Sequence, residues 1–146
     1  MGTSPVSKNA QTSTKWMSCI LWAAGIYNLL WGAWAILFPE QPFQWLGMEA
    51  PNYPEIWQCL GMVVGVYGVG YFIAGFNPMK HWLIVLVGLL GKILGPIGMG
   101  LSITQGRLPL AAGWLCVTND LIWWVPFTLI LYHVLSSSRT VLKDIQ

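Results

Sequence analysis

Four long apolar runs, parted by short polar breaks, set the pattern of this chain. They cover Trp16 to Phe38, Ile56 to Phe76, His81 to Ile103 and Leu110 to Val134. Each is as long as the ~20 residues that a helix needs to cross a hydrocarbon core. The breaks are Pro39 to Glu55, the turn Asn77-Pro78-Met79-Lys80, and Thr104 to Pro109. Short breaks put consecutive helices side by side and pointing opposite ways. The pattern therefore predicts an all-α integral membrane protein, an antiparallel four-helix bundle in up-down-up-down order. Its single membrane domain covers residues 15–135, with polar cytoplasmic tails over 1–14 and 136–146. The first run exceeds the roughly 7–15 apolar residues of a cleaved signal peptide, so it reads as a retained span.

Composition sharpens this picture. Of the 146 residues, 55% are apolar and 8% are charged, against about 25% charged in a typical soluble domain. Ten tryptophans and sixteen glycines fit membrane interfaces and close helix packing. Seven basic and five acidic residues are too few for a nucleic-acid footprint. Their placement is informative nonetheless. Lys8, Lys15, Lys80, Arg139 and Lys143 fall on the side of the termini, and Arg107, Glu40, Glu49 and Glu55 on the other. Basic residues stay cytoplasmic. The chain is accordingly expected in a bacterial inner (plasma) membrane, multi-pass, with both termini cytoplasmic. In the outward loop PEQPFQWLGMEAPNYPE, the apolar Phe43, Trp45, Leu46 and Met48 form an interfacial patch or, alternatively, a lid.

Two charges break the apolar pattern, Lys92 in the third run and Asp120 in the fourth. Counted from the outer span ends at 1.5 Å per residue, Lys92 lies about 17 Å deep and Asp120 about 15 Å. Lone charges at mid-membrane are costly, so the two are expected to pair. Gly88, Gly91, Gly95 and Met99 lie on or beside the Lys92 face. Pro96 has no N–H, so the carbonyl of residue 92 loses its helical donor. Pro126 does the same for Ile122. Asn119 adjoins Asp120, and Asn28 lies near mid-span in the first run, so an intramembrane cluster of Lys92, Asp120, Asn119 and Asn28 is expected. Gln58, Gly61, Gly65 and Gly68 form a small or polar stripe on the second run, read as facing the same interior. Trp123 and Trp124 cannot both face inward, and one of them could set its ring over the Lys92 ammonium.

The cluster admits two roles. As structure, it fixes helix rotation and register. As a site, it relays a proton or binds a polar head group such as a quinone carbonyl. No cofactor is otherwise implied. His81 and His133 at the cytoplasmic ends lack the supporting ligands of a metal or haem centre, and neither group is expected. Cys19, Cys59 and Cys116 form no CxxC and no disulfide framework. No nucleophile–base pair or phosphate loop suggests a self-sufficient enzyme.

The run from "LFPE" through "WLGM" to "WQCLGM", followed by a short turn and a glycine-rich third helix, resembles the DoxX-like four-helix membrane proteins over most of residues 16–134. That resemblance implies a four-span bundle, in some relatives linked to quinone-dependent oxidoreductases, and carries over no particular residue. Three functional readings follow. The chain is an accessory or interaction subunit of a membrane complex, with other membrane subunits or a second copy as partners in the bilayer. Alternatively it is a carrier or oxidoreductase component that uses the Lys92–Asp120 pair. The third reading is a scaffold alone.

Overall fold

In the computed structural model, which describes residues 5–143 and the side chains of 14–137, every regular element is helical. Helix α1 covers Pro5–Leu37, the short α2 Gln41–Trp45, α3 Pro54–Phe76 and α4 Trp82–Thr104. The fourth apolar run, predicted as one span, is assembled from four pieces. A 3-10 turn at Leu110–Ala112 leads into α5 (Gly113–Cys116), a π turn (Val117–Leu121) and α6 (Ile122–Lys143). Four stretches are long and apolar enough to cross a membrane: Thr14–Leu37, Pro54–Phe76, Trp82–Thr104 and Leu110–Ser137. Helical backbone runs beyond the outer spans, from Pro5 and to Lys143, into segments read as polar tails. Residues 1–4 and 144–146 of those tails lie outside the described residues.

Local signals account for the ends. Pro54 opens α3 at the first turn, where a missing N–H costs nothing. The two positive-φ glycines, Gly47 and Gly106, both stop helices. After α4, Gly106 donates to the Ile103 carbonyl and Arg107 to that of Ser102, both at 2.9 Å. After α2, Gly47 donates to Gln44 at 3.2 Å and Met48 to Phe43 at 2.9 Å. These are Schellman closures, and they need the left-handed residue that glycine supplies without strain.

Glycine also sets the closest helix contact. A Cβ built on Gly32 would lie 3.0 Å from the Gly65 nitrogen, and one on Gly25 would lie 3.0 Å from the Gly68 carbonyl oxygen. From the other side, a Cβ on Gly61 would lie 2.9 Å from the Gly32 oxygen, and one on Gly68 2.8 Å from that of Gly25. Helices α1 and α3 thus touch backbone to backbone. Gln58, Gly61 and Gly68 face this seam rather than a shared interior. The Gln58 amide donates to the Ile36 carbonyl at 2.9 Å, satisfying one of the orphan acceptors at the end of α1.

The apolar core lies at one end of the bundle. Met17, Leu21 and Ala24 of α1 meet Tyr71 and Ala74 of α3, Val85 and Leu89 of α4, and Phe127, Ile130, Leu131 and Val134 of α6. These residues come from the start of α1 and α4 and the end of α3 and α6, so they fill the half nearer the termini. The outer faces of the long helices are apolar too: Leu30, Val66, Leu94 and Val125 are 67%, 70%, 65% and 68% exposed.

Candidate functional site

Beyond the core, toward the loops Pro39–Tyr53 and Gln105–Pro109, the helices line a partly open cavity of about 300 Å³. The charged pair is part of its lining. Lys92 and Asp120 are both buried, with the ammonium 3.5 Å from Asp120 Oδ1. The nearest partner of Lys92 is a backbone group: its Nζ donates to the Asn119 carbonyl at 2.5 Å. That carbonyl belongs to the π turn. Such widened turns recur at functional sites, and this one precedes Pro126, whose ring cannot fit a regular preceding turn. Asn119 also donates its amide to Asp120 Oδ1 at 3.0 Å, and Cys116 lines the same cavity.

Proline chemistry reappears on α4. The Lys92 carbonyl, denied a helical donor by Pro96, accepts the indole N–H of Trp124 at 2.9 Å. Trp124 thus meets residue 92 through N–H and carbonyl, where the sequence suggested ring and ammonium. Trp123 packs against Tyr27 and Phe127. The Tyr27 hydroxyl donates to the Thr118 carbonyl at 2.8 Å, tying α1 to the π turn.

The expected cluster is therefore partly assembled. Lys92, Asp120 and Asn119 form one hydrogen-bonded group. Asn28 lines the same cavity but turns its amide back to the Ala24 carbonyl of its own helix, at 2.9 Å. Gln58 stays in the α1–α3 seam.

Three of the five α4 glycines serve different ends. Gly88 is a notch filled by the Tyr71 ring and hydroxyl. Gly95 admits the carboxylate, since a Cβ there would lie 3.2 Å from Asp120 Oδ2. Gly91 faces open space, with nothing within 4 Å of a built Cβ.

Sequence reasoning missed the α3 wall, made by Trp57, Leu60, Val64, Tyr67 and Tyr71. Their spacing of three and four residues marks one helical face. That signal was available, but the glycine stripe on the same helix has the same period. The loop residues Phe43 and Trp45, offered by the sequence as an interfacial patch or a lid, pack on rings of α1 and α3 that the sequence did not single out. Trp45 of α2 stacks on Trp34 at 5.4 Å, and Phe43 meets Trp57 edge-on at 5.2 Å. Trp31 touches both Trp34 and Trp57. Gln41 anchors α2 by accepting the Trp34 indole N–H at 2.7 Å.

Comparison of the chain with family models, curated proteins and solved structures gave no match. The DoxX-like resemblance rests on the sequence motifs alone.

Proposed function

We propose that this chain is a multi-pass membrane protein that holds the polar head of a small lipophilic molecule on the Lys92–Asp120 pair. The observation that carries this reading is the cavity of about 300 Å³ directly beside the pair. A purely structural pair gains nothing from such space. Left unfilled, such a recess forfeits contacts along its walls. The volume lies at the lower end of ligand pockets, about 300–1,000 Å³, and its walls are mostly apolar with few convergent polar groups, as such pockets are. The cavity thus favours ligand handling over the accessory-subunit and scaffold readings. Hydroxyl and carbonyl heads suit the site, and quinones and quinols belong to that class.

The bundle arrangement is part of the same proposal. Gly25 lies against Gly68 and Gly32 against Gly61, so α1 meets α3 in reverse chain order, which supports an up-down course. The apolar outer faces support burial in lipid. The excess of lysine and arginine near the termini supports a cytoplasmic position for both.

The test is to extract the full chain from its host membrane into nanodiscs and quantify the small molecules that come with it. The wild type should carry a lipophilic molecule in near-stoichiometric amount. The double variant Lys92→Met with Asp120→Leu should be folded and empty. Equal retention by both proteins would exclude the pair as the binding group.

A further inference from the structure

Resting on that reading, we infer that the ligand is a neutral, single-tailed amphiphile whose tail leaves the cavity sideways, between α3 and α4, into the bilayer.

The route follows from which walls are shut. Toward the termini the cavity ends on the packed core, where Tyr71 fills the Gly88 notch. On the α1–α3 side the glycine seam brings backbone against backbone. Between α1 and the π turn, Tyr27 bridges to Thr118. Between α4 and the fourth span, Lys92 and Trp124 close the gap with hydrogen bonds. Over the loop end lies the aromatic layer of Trp31, Trp34, Phe43, Trp45 and Trp57. One side is left. Near their connecting turn α3 and α4 touch, a Cβ on Gly70 lying 3.2 Å from Ile84. Farther along, Gly91 of α4 carries no side chain to fill the gap, and Leu60 and Val63 lie on the α3 side. All three line the cavity and are also exposed outward.

The ligand class follows from size and charge. A cavity of about 300 Å³ takes a ring-sized head and leaves a chain outside. Lys92 and Asp120 already offset one another, so a charged head would leave a net charge in a medium that penalises it. A hydroxyl suits the pair because it both donates and accepts. Two polar atoms on cavity-lining residues, the Asn119 Oδ1 acceptor and the Trp57 indole N–H, are buried and lack a partner among the described residues. The Asn119 amide is held on Asp120, which fixes its oxygen as an acceptor in need of a donor.

Two photoreactive phenols test the inference, one without a tail and one carrying a dodecyl chain, each bearing a diazirine on its ring. They are applied to the full chain in liposomes, and labelled peptides are mapped. Both should label cavity-lining residues of the wild type. Gly91→Trp, at a position with free space for a side chain, should cut dodecylphenol labelling about tenfold, a change of about 1.4 kcal/mol, and spare the tail-less phenol. Trp45→Ala should spare both. Undiminished dodecylphenol labelling in Gly91→Trp overturns the inference. So does loss of both probes from a folded Gly91→Trp, and so does loss of the tailed probe in Trp45→Ala alone. Absence of cavity labelling in the wild type, or its persistence in the Lys92→Met, Asp120→Leu variant, instead defeats the reading of the pair as a head-group site.

Discussion

The two halves of the bundle use similar apolar side chains to different ends. Toward the termini, Leu21, Phe127 and Ile130 are fully buried and the helices interlock. Toward the loops, Leu60 is 44% exposed, and comparable residues on α3 and α4 line a space instead of filling one another's gaps. The charged pair sits at the boundary. The contrast teaches that the closed half and the α1–α3 seam hold the fold, which leaves the open half free to hold something else.

The sharpest way to break this comparison is to truncate the closed half. Phe127→Ala should lower stability in detergent by about 3–5 kcal/mol, read from denaturant or thermal unfolding. At the boundary, Lys92→Met alone should cost about 3–5 kcal/mol because it strands the Asp120 carboxylate, while Lys92→Met with Asp120→Leu should recover most of that loss. A double-variant cycle on unfolding curves measures the recovery. One identical substitution compares the halves directly. Leu21→Ala should cost about 2–5 kcal/mol, and Leu60→Ala, at the rim of the space, less than about 1 kcal/mol. Equal losses would show that the halves are packed alike. Next in size is Trp124→Phe, which leaves the Lys92 carbonyl without its donor and should cost about 1–3 kcal/mol. Its removal should also speed hydrogen exchange near Pro96.

Much of this was legible from run lengths. Four apolar runs gave four long apolar helices. Depth counting put Lys92 and Asp120 level, and they lie 3.5 Å apart. The freed carbonyl opposite Pro96 was legible because proline's missing donor is a property of one residue; that Trp124 takes it was not. The π turn was hidden because a slip of hydrogen bonding by one residue leaves the apolar pattern nearly intact. With it went the Asn119 carbonyl, which no side-chain pattern announces. The face of α3 was misassigned for a related reason. That helix is apolar all round, so periodicity offered both a glycine stripe and an aromatic one. Only contact with α1 decides between them. Asn28 was read as part of the cluster because depth and face both fitted. Its own helix supplied a nearer acceptor in Ala24.

Filling the cavity separates holding the fold from holding a ligand most directly. Val64 lines the space and lies on the α3 wall, away from the core. Val64→Phe should therefore leave the unfolding midpoint unchanged or raised. The nanodisc-extracted variant should then be empty where the wild type carries its molecule. A Val64→Phe protein that unfolds as easily as Phe127→Ala, or one that retains the molecule in full, would contradict the account.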